Sequence, residues 1–292
     1  MGILVWAART VLGAALLSTF AATGCAPARP FAFIHTQGVR EVAAARSYWT
    51  PARMARARPA EWSHRIGSGQ AVRPGTTRPA TVRVGALFAH DAGGDHFCTA
   101  GVVASPGREM LITAAHCVDG GKRTTSRRDI VFVPGYRDGA TPFGVWVPRA
   151  IVLPTRWVRS SDPALDVAFI VLRASHGRRI QSVLGADRLG IHQGFTNVVR
   201  VTGYPATGAE PITCVSRTSR ESRHQMRFRC GGFSAGTSGS PWVARFNPRT
   251  NQGVIVGVIG GYQRGGDSSA VSYSPYFGDD VKSLYQTAAR LP

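Results

Sequence analysis

The sequence is short of lysine, of acid and of long apolar runs. Of its 35 basic residues only Lys122 and Lys282 are lysine, and Asp and Glu together number 16. Arginine and alanine are abundant instead, a bias that fits genomic base composition better than selection for guanidinium chemistry. No apolar run is long enough to cross a bilayer as a helix, which takes about 18 residues or more. The longest, Val11 to Ala22, has twelve residues and follows the single Arg9. That is the pattern of an export signal. No C-x-x-C pair is present, so a zinc site is not expected, nor any other metal or cofactor. Zinc fingers, RNP-like segments and basic–aromatic interleaving are also missing. The net charge of +19 therefore reads as that of a cationic exported protein, with no nucleic-acid partner.

The signal ends in Ala22-Thr23-Gly24-Cys25, which resembles a bacterial lipobox. One reading has Cys25 lipidated and the protein anchored at the outer face of the membrane. The other has ordinary cleavage near Ala22 to Gly24, or after Ala26-Pro27-Ala28, releasing a secreted protein. Residues 1–25 are thus the signal. Residues 26–79 carry nine Arg and two Glu, are rich in Ala and Pro, and show no strand alternation. They read as a propeptide or linker, with helical potential at Glu41 to Arg46 and Pro51 to Arg58. Apart from Cys25 there are four cysteines: Cys98, Cys117, Cys214 and Cys230. In an exported chain they imply two disulfides with three possible connectivities. Proximity along the chain favours Cys98–Cys117 and Cys214–Cys230.

From residue 80 the texture changes. Twelve short β-rich runs follow one another, separated by turn residues: Val82–Phe88, Thr99–Ala104, Met110–Thr113, Ile130–Val133, Val145–Leu153, Val167–Leu172, Val198–Tyr204, Ile212–Ser216, Arg227–Cys230, Trp242–Arg245, Val254–Ile259 and Ala270–Ser274. Such spacing predicts an all-β barrel or sandwich. Residues 279–290 carry Val281, Leu284, Tyr285 and Ala288 at helical offsets, which predicts one short C-terminal helix. The count suits two small barrels packed together in residues 80–292.

The stretch Gly232-Phe233-Ser234-Ala235-Gly236 fits the G-x-S-x-G elbow of α/β-hydrolases. That elbow needs a histidine after the serine, and all eight histidines lie at or before His224. It also needs strand–helix alternation, which is missing. The match is coincidental. A later serine with its partners upstream fits better. His116 ends Thr113-Ala114-Ala115-His116-Cys117, where a β run stops beside a cysteine. Asp166 opens the apolar run Val167-Ala168-Phe169-Ile170-Val171-Leu172, a costly place for a carboxylate without hydrogen bonds. Ser238 lies in Gly236-Thr237-Ser238-Gly239-Ser240-Pro241. Asp162, the rival to Asp166, sits before Pro163 and reads as a turn residue.

TAAHC, then DVAFIVL, then GTSGSP resembles the chymotrypsin-like (trypsin-like) serine protease family, in its bacterial secreted branch. The order His, Asp, Ser matches, with gaps of 50 and 72 residues, and the likeness spans roughly residues 80–290. It implies an all-β fold of two packed six-stranded antiparallel barrels. By resemblance, Ser238 is the nucleophile, His116 the general base and acid, and Asp166 the group that orients the imidazole. The backbone N–H groups of Gly236 and Ser238 form the oxyanion hole. Phe233, Ile259, Gly260, Gly261 and Tyr262 border the substrate pocket. Ser234 and Ser240 read as structural or pocket-lining, and His96 and His224 as surface residues, with His224 able to approach the substrate cleft.

The chain also departs from the family pattern. Many members carry Asp just before the nucleophile, paired with a freed terminal amine; here that residue is Thr237. The acidic residue that gives trypsin its basic specificity corresponds to Gly232. The histidine of glutamyl endopeptidases corresponds to Ile259. An apolar or small residue before the scissile bond is therefore expected. The reading is an exported, monomeric serine endopeptidase acting on proteins or peptides through an acyl-enzyme. It touches a membrane only through a lipid on Cys25. The alternatives are a non-catalytic cationic binding module of the cell envelope, or an esterase or amidase using the same triad.

Overall fold

The computed structural model describes residues 1–2, 30–60, 75–77, 82–122, 124, 127–206 and 210–292. Residues 3–25 of the expected signal, Cys25 among them, and the stretch 61–74 lie outside them.

The stretch expected as a propeptide or linker folds into β1 (Ala32–Thr36), α1 (Val39–Tyr48), α2 (Pro51–Arg56) and β2 (Arg58–Pro59). α2 starts where the local chemistry favours a start. Thr50 accepts the Arg53 N–H on its side chain, and Pro51 takes the first helical position. β3 (Thr76–Thr77) follows. The first half of the remaining chain is β4 (Val84–Asp91), β5 (Gly94–Val103), β6 (Met110–Thr113), β7 (Arg128–Pro134), β8 (Pro148–Pro154), α3 (Thr155–Ser160), β9 (Ala168–Leu172) and α4 (Ile180–Leu184). The second half is β10 (Arg188–Leu189), β11 (Val198–Gly203), β12 (Ile212–Arg217), β13 (Ser219–Arg220), β14 (Gln225–Arg229), β15 (Pro241–Asn247), β16 (Gln252–Val258), β17 (Val271–Pro275) and α5 (Asp279–Ala289).

The first half is a curled sheet in the order β1-β8-β9-β6-β5-β4-β7, with β2 beside β5. Phe132 in β7 and Trp146, just before β8, exchange backbone hydrogen bonds of 2.8 and 2.9 Å, which brings the ends of the six strands β4–β9 together. The second half pairs as β10-β16-β15-β11-β12-β3, beside a smaller sheet β13-β14-β17. The Gly260 N–H donates to the Tyr273 carbonyl (3.0 Å) and joins the two. Each of the twelve expected strands forms, shifted by a few residues at its ends. The run Val145–Leu153 is shortened to β8, because Trp146 pairs with β7 first. α5 buries Val281, Leu284 and Ala288 and carries Asp279 and Asp280 in its first turn, where the helix dipole favours negative charge. The architecture is all-β, with chymotrypsin-like curled sheets and a short C-terminal helix.

Residue 80 is not a packing boundary. Inside the first barrel lie Leu87, Cys98, Val102, Leu111, Phe132, Ile151 and Ile170. The other face of β4 and β7 presents Ala86, Phe88, Val131 and Val133, and these are equally buried, by Ala45, Trp49 and Met54 of the N-terminal segment. β1 adds a full ladder to β8, from Ala32 opposite Pro154 to Thr36 opposite Ala150. The Trp49 indole N–H donates to the Asp129 carbonyl. Residues 30–60, within the stretch expected as a propeptide or linker, are therefore part of the packed structure. The reason is elementary: β4 and β7 are apolar on both faces, so both faces need a cover.

Candidate active site

Two disulfides hold the site's framework, Cys98–Cys117 and Cys214–Cys230, as expected from proximity. The first ties β5 to a short 3-10 turn, Ala115–Cys117, that follows β6. That turn carries His116, whose side chain is fully buried. The sulfurs of Cys98 and Cys117 lie close to the imidazole. They are bonded to each other, so they offer no thiolate to a metal.

Asp166 ends a second 3-10 turn, Pro163–Leu165, just before β9. Its carboxylate is buried at 0% exposure and takes three donors. The His116 backbone N–H donates to Oδ1 at 2.9 Å, the His116 ring meets Oδ2 through Nδ1 at 2.7 Å, and the Gly261 N–H donates to Oδ2 at 2.8 Å. Three donors satisfy a charge that would otherwise be too costly to bury. Asp162 does what a turn residue does: its Oδ1 caps the same 3-10 turn at Ala164 (3.0 Å), and its Oδ2 meets Arg156.

Ser238 lies on the tight loop between Cys230 and β15, and is buried. The loop is fastened on both sides. The Ser238 carbonyl accepts the Thr99 N–H (2.8 Å), and the Gly239 N–H donates to the Ile259 carbonyl (2.7 Å). The Thr99 hydroxyl donates to the Gly236 carbonyl at 3.1 Å. Gly236 and Gly239 have φ of +92° and +83°, the left-handed region that only glycine enters freely. A methyl group on Gly239 would strike Thr113 Oγ1 and the Thr99 carbonyl, and one on Gly260 would lie 2.9 Å from the Asp166 carbonyl and 3.2 Å from its Oδ2. The loop thus packs directly against the end of β6 that leads to His116, and the residues after β16 pack against Asp166.

The other serines have structural partners. Ser234 Oγ accepts the Ala206 N–H (3.1 Å), and Ser240 Oγ donates to the Thr237 carbonyl (2.6 Å). Thr237 turns its hydroxyl back to the Ser234 carbonyl (2.7 Å). His96 pairs with Asp91 at 2.9 Å, and His224 is exposed on a hairpin. Among the expected pocket residues, Phe233 and Ile259 are at 0% exposure in the core of the second half. Phe233 packs edge-on against Phe228. Tyr262 is 46% exposed and stands edge-on to Tyr273. Sequence reasoning missed Thr99, Thr113 and Gln225. Thr113 Oγ1 donates to the Thr99 carbonyl at 2.8 Å, and the Gln225 amide oxygen accepts the Tyr262 N–H at 3.1 Å. Nothing local marks them: a threonine or glutamine in a strand is ordinary.

The model of the trypsin-like peptidase domain matches residues 98–258, more than half of the chain. The chain belongs to the trypsin-like peptidase family. As a peptidase it is a serine endopeptidase, a hydrolase, by membership. No curated protein sequence matches it significantly. Among solved structures it is similar to protease Anisep from Arthrobacter nicotinovorans, at 26% identity and a TM-score of 0.66, covering 74% of this chain and 99% of that one. It is equally similar to a thermostable serine protease, AL20, from an extremophilic microorganism, at 26% identity and a TM-score of 0.66, covering 73% and 99%. A glutamyl endopeptidase shares the peptidase's fold at 16% identity, with a TM-score of 0.60 and coverage of 77% and 100%. About a quarter of the chain lies outside each likeness.

Proposed function

We propose that the peptidase is exported and cleaves peptide bonds through Ser238, His116 and Asp166. The observation that carries this is the buried Asp166 carboxylate, which holds His116 through both its ring Nδ1 and its backbone N–H. That grip leaves the imidazole with Nδ1 protonated and Nε2 as the basic nitrogen. Ser238 Oγ attacks the substrate carbonyl carbon while His116 Nε2 takes its proton. The tetrahedral oxyanion is stabilised by the N–H groups of Gly236 and Ser238. Collapse breaks the C–N bond, and His116 returns the proton to the leaving amine. Water, deprotonated in turn by His116, then hydrolyses the ester on Ser238. No acidic counter-charge stands at Gly232 and no imidazole at Ile259, which supports an apolar or small residue before the scissile bond. Phe233 and Ile259 would form the floor beneath that residue, with Gly260, Gly261 and Tyr262 at its rim.

Export is supported by the two disulfides, which persist in oxidising surroundings. No helix among the described residues is long and apolar enough to cross a membrane. Lipid on Cys25 would keep the peptidase at the outer face of the cell membrane. Ser238 and His116 are at 0% exposure in the full chain. So closed a site supports a propeptide within residues 26–79 that leaves on activation.

The test is labelling of the full exported chain with a fluorophosphonate probe, before and after limited tryptic digestion, beside Ser238→Ala and Ser234→Ala. Labelling should vanish in Ser238→Ala and survive in Ser234→Ala. A folded chain that never labels, digested or not, would be a binding module. Comparing peptide with ester turnover separates an endopeptidase from an esterase. Membrane retention that is unchanged in Cys25→Ala would remove the lipid anchor.

A further inference from the structure

Two hollows of about 760 and 480 Å³ meet on the surface well away from Ser238. They share Ala104 and Arg188, so they form one groove. Arg108, Arg245 and Asn247 line the first, and Leu189, Ile191, Lys282 and Tyr285 line the second. Two strands measure how far the groove lies from the nucleophile loop. Ala104 comes five residues after Thr99, whose N–H binds the Ser238 carbonyl. Gly253, in the first hollow, comes six residues before Ile259, whose carbonyl accepts the Gly239 N–H. A strand advances about 3.3 Å per residue, so the groove begins roughly 17–20 Å from that loop.

The groove is positive along its length. Arg108, Arg188, Arg245 and Lys282 are all exposed, and Lys282 is one of only two lysines in the chain. No carboxylate is among the described residues that line it. Arg108 and Arg188 form no ion pair among the described residues, and Arg245 donates to the neutral amide oxygen of Gln193. The carboxylates nearby are already answered. Asp187, between Ala186 and Arg188, is 4% exposed, stands 3.7 Å from Arg83 and accepts the Gly253 N–H at 2.7 Å. Glu109 is taken by Arg149 and Arg179. Asp279 is 3.1 Å from His192 Nε2 and also feels the charge of Lys282. Asp280 stands two residues before Lys282 on α5, a spacing that puts the two on different faces. Arg108 and Arg245 hold φ of +57° and +51°, where glycine or asparagine costs less, so arginine sits there against local preference.

A guanidinium grips an oxyanion with two parallel N–H donors, and several along one groove fit a chain of oxyanions. We infer that the groove holds a phosphodiester polymer of the cell envelope. In such a chain the charge lies in the backbone itself, so a narrow strand reaches each cation in turn. In a polycarboxylate the charges hang on side branches. Leu189 and Ile191 offer the carbon atoms between phosphates a half-buried apolar strip. A nucleic acid carries phosphates too, but its bases need ring faces to stack on. Tyr285, the one aromatic residue among those lining the groove, is already committed. Its hydroxyl donates to the Ala104 carbonyl at 2.9 Å, and its ring stands edge-on to Phe169 at 5.6 Å. Export brings the chain to the polymer, and the binding itself does not depend on Ser238. It would keep the peptidase at its cell with or without a lipid on Cys25, and leave the nucleophile loop uncovered.

The test uses the full exported chain and a fluorescent poly(glycerol phosphate) of about ten units, at about 0.15 M salt. Two triple variants share one net charge. Arg108→Gln/Arg188→Gln/Arg245→Gln clears the groove of arginine. Arg40→Gln/Arg159→Gln/Arg223→Gln removes three exposed arginines elsewhere. The first should weaken binding about fiftyfold and lower the slope of log affinity against log salt by about 2, the share of three phosphate contacts. The second should weaken it less than about fivefold. Equal losses in the two variants, both folded by circular dichroism, would mean diffuse attraction and overturn the inference. Single-stranded DNA with as many phosphates, and polyglutamate with as many charges, should bind at least about fivefold more weakly than the polymer. If either binds as tightly, the assignment to a phosphodiester polymer is overturned. Ser238→Ala should bind the polymer as the wild type does, so failure of the peptidase assignment and failure of this one are told apart.

Discussion

The Gly261 amide donates to the same Asp166 oxygen, Oδ2, that the His116 ring meets, at 2.8 and 2.7 Å. The turn after β16 in the second half thereby clamps a carboxylate that grips His116 in the first. Asp166→Asn keeps the shape of this clamp but turns one acceptor into an NH₂ donor. The ring can no longer be held with Nδ1 protonated. The expected loss in kcat/KM is on the order of 10⁴, with the fold intact by circular dichroism. A loss under about tenfold would mean that Asp166 does not orient the base.

Gly239 has no room for a side chain. Its φ is +83°, and a methyl would meet Thr113 Oγ1 and the Thr99 carbonyl. Gly239→Ala should cost about 3 kcal/mol from backbone strain and overpacking combined. In a chain of this size that lowers Tm by roughly 6–12 °C. Fluorophosphonate labelling should fall with it, because the loop that carries Ser238 must shift. A variant that labels at the wild-type rate would mean that the loop tolerates displacement and that the tight packing is not needed for the site.

The candidate site could be read because its parts are local. His116 follows an apolar run, Asp166 opens one, Ser238 lies in Gly236-Thr237-Ser238-Gly239-Ser240-Pro241, and chain order with the missing strand–helix alternation discarded Ser234. The Cys98–Cys117 link was legible for the same reason. The packing of residues 30–60 was not. The pairing of Ala32 with Pro154 and the burial of Trp49 against Phe88 join parts far apart in the chain. The signal lay in the partner. Val84–Phe88 and Ile130–Val133 are unbroken apolar runs, which mean strands covered on both faces. Periodicity cannot say what the cover is.

Trp49 tests whether the segment belongs to the same cooperative unit. It is 5% exposed, lies 5.2 Å from Phe88 ring to ring, and its indole N–H is bonded to Asp129. Trp49→Ala should cost about 3–5 kcal/mol, a drop in Tm of roughly 10 °C. Calorimetry should still show one transition. A separate early transition, with the main one unmoved, would make residues 30–60 an independent unit, free to leave.

The segment is also held by charge that acid should release. The Tyr48 hydroxyl and His90 Nδ1 both meet Asp95 Oδ1, at 2.5 and 2.8 Å, and Arg53 stands 3.5 Å from Oδ2. Burial pushes the Asp95 carboxyl up. The hydrogen bonds from Tyr48 and His90 and the charges of His90 and Arg53 outweigh it, and its pKa lies below the ordinary 3.8. Asp91, on the same hairpin, is pushed up by burial as well. Bonds from Gly93 and His96 and the charges of His96 and Arg127 again leave it lowered. A carboxyl with a lowered folded pKa stabilises the fold above its unfolded value. That stability is lost as pH falls through the folded value. Asp95→Asn should therefore lower Tm at about pH 6 and converge on wild type as pH falls through the lowered folded value of the wild-type carboxyl. Between those points the wild type should show the steeper fall. Two parallel curves, offset equally at both ends, would mean that Asp95 acts through its shape and not through its charge.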